Sequence, residues 1–513
     1  ARDLALAEEL QVPLHLCHVS TRGSVALIRK AKARGVRVTA ETAPHYFSLD
    51  ESLLSKRDAD YRMNPPLRTK ADVLAVIEGL CDGTLDAIAT DHAPHAPAEK
   101  ADFLGAPNGS IGMETSLAAQ MIQYGSSVNN TEMVSQAERI INFWTGSKAF
   151  PSNSALPITW YRPNTNDPFP AKNGEEYPAF LRMITDGFNG ILDAIRVKHE
   201  LEETVPVNWT KAVEKVGQFF LDNQNEDGSV YRAYNRKEGT VNTNSSNKVY
   251  AGTSKVNTSQ VVPFLFKMSE YSVSMGNGGK AEEYKTAALK AVDWALNNLE
   301  ETGKYVGGTI DQANIVDKEA GFFALKAFTA AYMSTNEQKY LDAARHAAAF
   351  CMGWVYTYDF AIQSSNPLTQ QYNPFTKGGV SGFSIIATGH SGADIFSAFF
   401  PTEIYKMYVL TGDTDYRDAA IFLELNTKQT TNWDGRLGYA EKGFSPEATQ
   451  AANFNYTTVD APGIWLPWLT DANLRPITDA KNIFGVSDYR NLTDNRDVQL
   501  ANLMAYGQGG KWN

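Results

Sequence analysis

Residues 338–352 read QKYLDAARHAAAFCM, and this stretch decides the fold of the larger part of the chain. Its third residue is a tyrosine, and small alanines then recur at helical spacing along one face. The same pattern returns in 282–296 (EEYKTAALKAVDWAL) and in 414–427 (TDYRDAAIFLELNT). Alanines on a shared face let helices pack closely against one another. The repeat therefore predicts a stack of helix–turn–helix units.

Helical periodicity extends outward from these repeats over most of residues 135–513. The predicted helices are 179–201, 208–224, 259–275, 281–299, 318–335, 338–356, 393–410 and 415–429. Short turns such as STNE and TGDT join helices into hairpins, and longer loops separate the hairpins. Loops held by a rigid scaffold are where binding and catalytic groups are usually found.

Two further stretches, NQNEDGSVYRAYN at 223–235 and TGDTDY at 411–416, complete the pattern. Together with the repeats, they resemble the α/α toroid, the six-hairpin barrel of many glycoside hydrolases and of some polysaccharide lyases and sugar epimerases. The resemblance covers most of residues 150–490 and implies a carbohydrate substrate. The helical part has no cluster of metal ligands, so no cofactor is expected for it.

The loops between the predicted hairpins carry carboxylate, imidazole and aromatic groups. Sugar hydrolysis needs two carboxyl groups across the scissile bond, one protonated and one ionised. Aromatic side chains offer flat platforms to sugar rings. The catalytic candidates are Asp317, Glu319, Asp394 and His390, and the substrate-binding candidates are Asp311, Trp433, Glu441 and Tyr358.

Several roles are open to these residues. In a hydrolase, Asp317 or Glu319 would supply one carboxyl group, and Asp394 or Glu441 the other. Asp317 and Glu319 also stand at the start of a predicted helix, where acidic residues are typical caps that complement the helix dipole. Asp394 could cap a helix in the same way, because it lies at the start of the predicted helix 393–410.

Two other functions fit the same toroid. A polysaccharide lyase abstracts a proton beside a uronate carboxylate, and His390 with Tyr405 or Tyr358 would serve it as acid and base. A sugar epimerase would also use a histidine. A toroid that only binds glycans, without cutting them, needs the aromatic platforms alone.

Tryptophan and histidine divide the chain into two compositionally different parts. All nine tryptophans lie after residue 143, whereas most of the eight histidines lie before residue 96. Over the whole chain of 513 residues the net charge is −11, which argues against nucleic acid as a partner. No apolar run is long enough to predict a membrane span. The three cysteines are too few for a disulfide framework, and the oligomeric state is left open.

The first part alternates strands and helices. Three stretches are typical of strands: VPLHLCHVS, VRVTAETAP and LDAIATDHAPH. A fourth stretch, TRGSVALIRKAKARG, is typical of an amphipathic helix. This alternation predicts parallel strands in an α/β sheet or barrel, where chemistry sits at the carboxyl ends of the strands. His18, His45, Asp91 and His95 fall at such ends, and imidazole and carboxylate suit Zn²⁺. His15 alternates with the apolar face of its strand, so a structural role is expected for it.

Five motifs occur in this part in the following order: HLCHVST, ETAPHYF, MNPPLR, DGTLDAIATDHAPH and PNGSIGMET. They resemble the C-terminal half of a bacterial dihydroorotase, a member of the amidohydrolase superfamily with a metal site in a TIM barrel. The resemblance covers nearly all of residues 1–122. It implies that His18 is a metal ligand and that Asp91 is both ligand and general base. It also implies that Asn64 and His95 contact the substrate.

The first part departs from that family in its metal ligands. The N-terminal His-x-His pair, the bridging acidic or carboxylated-lysine ligand and one further histidine are absent from residues 1–122. Only His18 and Asp91 remain, and a catalytic zinc needs about three protein ligands. We therefore expect that zinc is not held and that the segment does not hydrolyse dihydroorotate. The alternative is that it is an active zinc-dependent dihydroorotase.

The expected organisation is a mixed two-part chain. Residues 1–122 form half of a TIM barrel, 123–150 a junction with a polar stretch at 126–131, and 151–513 the α/α toroid. The abrupt change indicates a gene fusion or a join of fragmentary DNA, of which the join is favoured. The chain begins with Ala and opens directly into a helical pattern, so the true start is expected upstream. The first part is typical of a cytoplasmic enzyme and the second of a secreted one, which leaves the compartment open.

Overall fold

The computed structural model describes most of the chain, and it is mainly helical with few strands. The described residues are 2–43, 46–47, 50–52, 65–88, 118–159, 161–162, 167–168, 178–243, 251–309, 313–359, 381–385, 392–394, 396–430, 448–450, 467–492 and 495–507. Their buried apolar side chains fall into two core clusters, one from the first part of the chain and one from the helical part. The mixed two-part fold expected from the sequence is confirmed.

The first part is a small parallel α/β unit. Its elements are α1 (Arg2–Leu10), β1 (Leu14–Leu16), α2 (Arg22–Ala33), β2 (Val38–Thr42), α3 (Lys70–Cys81) and β3 (Ala87–Ile88). The strands lie in the order β1-β2-β3 and both pairs are parallel. Parallel neighbours need a crossover, and α2 and α3 provide it between successive strands. The predicted parallel strands are therefore present in this unit.

Capping residues in the sequence determine where the two crossover helices, α2 and α3, begin. Thr21 and Thr69 cap them, because each side chain accepts a hydrogen bond from the backbone N–H three residues on. Gly35 follows α2 with φ +82°, a backbone conformation that favours glycine. Val25 and Ile28 on the inner face of α2 are buried. Burial of such side chains stabilises the unit by about 1.5–3 kcal/mol each.

The helical part consists of six hairpins within the described residues. They are α4 (Ala118–Ser127) with α5 (Thr131–Thr145), α6 (Leu181–Glu200) with α7 (Val207–Asn223), α8 (Val261–Ser274) with α9 (Gly278–Ala295), α10 (Lys318–Thr335) with α11 (Gln338–Met352), α12 (Pro401–Thr411) with α13 (Thr414–Thr430), and α14 (Pro467–Phe484) with α15 (Arg496–Gly507). A five-residue π-helical turn, 296–300, extends α9.

The first helix of each hairpin packs against the first helix of the next. Contacts run from α4 to α6, α8, α10, α12 and α14 in turn. The ring closes where Gln123 on α4 donates a hydrogen bond to Asn482 on α14, with 2.6 Å between Nε2 and Oδ1. The second helices α5, α7 and α9 pack along the outside. This arrangement is the α/α toroid, and its inner helices run in one direction.

Short strands lie in the loops between the hairpins. β4 (Tyr161–Arg162) pairs with β5 (Asp167–Pro168), and β6 (Ala179–Phe180) with β7 (Ala233–Tyr234). β9 (Gly392–Asp394) lies between β8 (Ser384–Ile385) and β10 (Ala448–Gln450). All of these pairs are antiparallel.

One predicted helix starts in the wrong place. The sequence predicted a helix over 393–410, but 392–394 form strand β9, 396–399 form a 3₁₀ turn, and α12 begins at Pro401. Proline is favoured in the first turn of a helix, because its missing N–H would be unpaired there anyway. The cap role expected for Asp394 is therefore wrong.

Most of the residues assigned to a junction, 123–145 of 123–150, lie in the first hairpin of the ring. Ile122 on α4 and Ile141 on α5 belong to the core of the helical part. The polar stretch at 126–131 is the turn between these helices, where Asn130 caps α5 by accepting the N–H of Met133 at 3.0 Å. Within the described ranges, no helix is long and apolar enough to cross a membrane.

Truncation locates the start of the helical part. We expect fragment 118–513 to unfold in urea with the same tryptophan-fluorescence midpoint as the whole chain. The free energy of unfolding of fragment 151–513 should be lower by about 3 kcal/mol or more. Ile122 and Ile141 are almost completely buried, and without them the side chains that they contact would become exposed. Equal midpoints for the two fragments would contradict the role of the first hairpin.

Candidate functional site

The inner helices begin at one end of the toroid, and polar side chains gather there. We call this end the mouth, and its central cluster consists of Arg182, Gly308, Asp317, Glu319 and Phe396. Arg182 lies on the first turn of α6, and Asp317 and Glu319 begin α10. The guanidinium of Arg182 bonds Glu319 and the carbonyl oxygen of Gly308. The cluster therefore joins two inner helices and the loop before α10.

Asp317 is the N-cap of α10. Its Oδ1 accepts the N–H of Ala320 at 2.8 Å, and its Oδ2 accepts the N–H of Gly308 at 2.9 Å. The side chain is completely buried. Burial raises the pKa of the Asp317 carboxyl, although these two N–H groups and the nearby Lys318 and Arg182 act in the opposite direction. Both oxygens are thus engaged in holding the loop to the helix.

Glu319 forms the ion pair of the mouth. It is 7% exposed and its carboxylate accepts a hydrogen bond from Nη1 of Arg182. The guanidinium of Arg182 lies 5.3 Å from the ring centre of Phe323 and 5.4 Å from that of Phe396. A planar guanidinium stacks well on aromatic faces. The two rings therefore fix the direction from which Arg182 meets Glu319.

A second arginine fixes the loop that carries Gly308. Nη1 of Arg232 donates to Oδ1 of Asn257 and to the carbonyl oxygen of Gly307, both at 2.6 Å. The amide of Asn257 donates to the same Gly307 carbonyl at 2.7 Å. Arg232 is 2% exposed. This buried, charge-assisted network makes the wall of the mouth rigid.

Two polar side chains beside this network have no hydrogen-bond partner in the part of the chain that the structure describes. Gln260, just before α8, is 4% exposed, and neither its Oε1 nor its Nε2 is bonded within the described residues. The hydroxyl of Thr309 is also unbonded among them. Buried polar groups are normally bonded to protein or to water. Ordered water is therefore expected beside Gln260 and Thr309.

A polar face of α6 continues from the mouth along the inner wall. Arg182, Asp186, Asn189, Asp193 and Arg196 recur every three or four residues, which places them on one side of the helix. Nζ of the α8 lysine at 267 bonds both oxygens of Asp193, at 2.7 and 2.8 Å. Asp193 still has 32% of its side chain exposed. The inner wall beside α6 therefore carries charged side chains, and Asp193 keeps partial contact with solvent.

Other predicted site residues have these positions. Tyr358 is 65% exposed and its ring meets Tyr356 edge-on, with 6.3 Å between centroids. Asp394 ends strand β9, opposite Ser384 of β8. Tyr405, the acid or base of the lyase alternative, is 1% exposed and donates a hydrogen bond to Gln499 at 2.8 Å. Its place in the core contradicts that role.

Several predicted site residues lie outside the described residues. They are Asn64, Asp91, His95, Asp311, His390, Trp433 and Glu441. Their roles stay predictions.

The zinc centre implied by the dihydroorotase resemblance rests on His18 and Asp91. His18 follows β1, and its Nδ1 lies 3.4 Å from Oε1 of Glu41 on β2. Two ligands are fewer than the about three protein groups that a catalytic zinc needs. The expectation that this pair does not hold a catalytic zinc stays a prediction.

Sequence reasoning missed Arg182 and Asp186. The predicted helix 179–201 contains both, but the sequence-based prediction placed the site in the loops between the hairpins. The spacing of charges on that helix was the available signal, because Arg182, Asp186, Asp193 and Arg196 fall on one face. A charged stripe on an inner helix is informative, because charged residues are rarely buried without partners.

An acidic turn supports the loop of Arg232, and its stability should depend on pH. Asp227 accepts the N–H and hydroxyl of Ser229 and the ammonium of Lys255. Burial opposes ionisation, but these bonds lower the pKa of Asp227 to about 2. A lowered pKa stabilises the fold above the unfolded pKa, about 4, and this stabilisation is lost as pH falls towards 2.

Asp227→Asn should therefore lower the urea midpoint at neutral pH. We expect the difference in urea midpoint between the variant and the unmodified chain to disappear as pH falls from about 4 to about 2. Urea titrations at several pH values measure it. A gap that stays constant over this range would show that the charge of Asp227 does not contribute.

Comparisons with known proteins separate the two parts. No family model matches the chain. A dihydroorotase of Geobacter metallireducens is 59% identical over 122 residues, which are 24% of this chain and 29% of that protein. One of Syntrophotalea carbinolica is 61% identical over 118 residues, or 23% of this chain and 28% of that protein. The first part is dihydroorotase-like. The chain thus spans under a third of the length of these relatives.

Solved structures give weaker likenesses. A D-hydantoinase from Bacillus sp. AR9 matches 21% of this chain and 26% of its own, with 32% identity and a TM-score of 0.21. The GH76 α-mannanase BT2949 of Bacteroides thetaiotaomicron matches 73% of this chain and 88% of its own, with 13% identity and a TM-score of 0.42.

Proposed function

We propose that the helical part is a glycoside hydrolase whose site is the mouth of the toroid. The observation that carries this proposal is the Arg182–Glu319 ion pair between the rings of Phe323 and Phe396. Sugar cleavage requires carboxyl groups at the site, and Glu319 keeps a small exposed area at the mouth. Glu319 is one carboxyl group of the catalytic pair.

Asp394 is the second carboxyl group in this proposal. It ends strand β9 two residues before Phe396, whose ring lies against the guanidinium that bonds Glu319. Two residues of extended chain span less than about 7 Å. The backbone of Asp394 therefore lies within about 7 Å of the backbone of Phe396, a member of the mouth cluster.

Asp317 has a different role here from the one proposed for Glu319. Its two oxygens are held by backbone N–H groups and its side chain is completely buried. A group without surface cannot contact a sugar. We assign Asp317 as a positioning residue, which fixes the start of α10 and with it the place of Glu319.

The proposed substrate is a neutral glycan rather than a uronate polymer. A lyase needs a cation to neutralise the uronate carboxylate, but Arg182 already pairs with Glu319 and lies 3.9 Å from Asp186.

A panel of neutral and uronate-containing polysaccharides tests this function. We expect new reducing ends from a neutral glycan, with no gain in ultraviolet absorbance. An absorbing unsaturated product would identify a lyase instead. Binding of glycans without cleavage of any of them would identify a non-catalytic binding protein.

For the first part, we propose that the segment does not hydrolyse dihydroorotate. The proposal is supported by the two-ligand metal set of His18 and Asp91. Carbamoyl-aspartate formation by the purified chain with added zinc, if it depends on Asp91, would overturn it.

A further inference from the structure

Strands β1 and β2 present a group of metal-binding side chains on one face. Leu14 pairs with Val38 and His15 with Thr39, so continuing the parallel register places Cys17 opposite Glu41. Residues two apart on a strand share a face. His15 and Cys17 therefore lie beside Thr39 and Glu41, on the face opposite the helices that cover Leu14 and Val38.

The donor atoms of this group are close enough to share one ion. One ligand atom each from His15, Cys17 and Glu41 can be chosen so that all lie within 4.8 Å of one another. Nε2 of His15 is 3.3 Å from Oε2 of Glu41. His15 and Cys17 are exposed, so an ion can reach them from solvent.

Thr39 orients the imidazole of His15. Nδ1 of His15 lies 2.8 Å from the hydroxyl oxygen of Thr39, on the strand next to it. When Nδ1–H donates to that oxygen, Nε2 carries the lone pair, and it lies 3.3 Å from Oε2 of Glu41. Metal-binding histidines are typically held by such a bond from the second ring nitrogen.

We propose that His15, Cys17 and Glu41 form a binding site for a borderline-soft divalent cation, of which zinc is the best match. Thiolate, imidazole and carboxylate together are zinc ligands, and three of them leave one tetrahedral position open. Calcium and magnesium prefer oxygen ligands alone, so the sulfur and nitrogen donors select against both. The site is distinct from the His18 and Asp91 set that the dihydroorotase resemblance implies.

His18 adjoins this site without being one of its three ligands. Its Nδ1 lies 3.4 Å from Oε1 of Glu41, whereas His15 approaches Oε2. The two imidazoles therefore approach different oxygens of the same carboxylate. Variants of His18 and Asp91 separate the proposed site from the family's set.

Cobalt(II) titration of the whole chain tests the proposal, because a cobalt–thiolate bond absorbs in the near ultraviolet. We expect this band for the unmodified chain and for Asp91→Asn and His18→Ala. The band should be absent from Cys17→Ser. It should remain in Cys351→Ala, because Cys351 is buried in the toroid. Glu41→Gln should retain the band but bind cobalt at least about tenfold more weakly.

Thr39→Ala gives a second, milder test. We expect the band to remain, with cobalt affinity about 10–100-fold weaker, because the imidazole loses its orienting bond. Cys17 and His15 are exposed, so their variants should keep the circular dichroism of the unmodified chain. A band that survives Cys17→Ser, or that disappears with Asp91→Asn, would overturn the proposal.

Discussion

Glu319→Gln is expected to slow cleavage of the glycan substrate by about 10²–10⁴-fold, the usual contribution of one acid–base group. Glutamine keeps the size of the side chain, and its amide oxygen still accepts the bond from Arg182. The fold should therefore survive, while the proton or charge that a carboxyl group supplies is lost. Initial rates of reducing-end release, with the thermal midpoint as a check on folding, measure the two effects separately.

Glu403→Gln is the matched control. Glu403 is 6% exposed, against 7% for Glu319, and it also pairs with a cation, Lys406, at 2.9 Å. It lies near Thr329, ten residues along α10 from Glu319, which is about 15 Å at 1.5 Å per residue. We expect the rate of glycan cleavage by Glu403→Gln to differ from that of the unmodified chain by less than about threefold. Equal losses in both variants would mean that stability, not catalysis, accounts for the effect at Glu319.

Periodicity predicted the individual helices well. Helices 318–335 and 208–224 were predicted within a residue of α10 and α7, because their apolar faces are regular and their ends carry capping or breaking residues. The error at 393–410 arose where the sequence is apolar but not helical. There, pairing with β8 and β10 decides the structure, and such pairing depends on residues far away in the chain.

The candidate site was predicted in part, because sequence shows which residues share a face but not what lies opposite. Asp317 and Glu319 were identified as a pair with two possible roles. The bonds to Gly308 and Ala320 reveal that Asp317 is a cap. The partner of Glu319, Arg182, lies 137 residues earlier and only the ring brings them together.

The same limitation applied to His15. Alternation with an apolar face indicated a structural role, and the structure agrees that its neighbours Leu14 and Leu16 pack against the helices. The presence of Cys17 and Glu41 beside it depends on the register of β1 against β2. Register is set by the apolar residues on the covered face, so the donors on the opposite face come together as a consequence.

Gly308→Ala is expected to be the most destabilising single substitution considered for the mouth. A methyl group built there would lie 2.3 Å from the N of Ala320, 2.4 Å from Oδ1 of Asp317 and 2.7 Å from Cβ of Glu319. Two of these atoms are held in the cap of α10, so the loop and the helix must separate. Overpacking costs about 1–3 kcal/mol and a lost cap about 0.5–2 kcal/mol.

We therefore expect a loss of about 3 kcal/mol in the free energy of unfolding, measured by urea titration. Gly190→Ala in α6 is the control, since nothing lies within 4 Å of its added methyl group. Alanine is the better helix former by about 0.5–1 kcal/mol, so this variant should be as stable as the unmodified chain or more so. If Gly308→Ala behaved like Gly190→Ala, the contact between the loop and the start of α10 would not hold the mouth together. The Arg182 bond to the Gly308 carbonyl would then be unable to place Glu319.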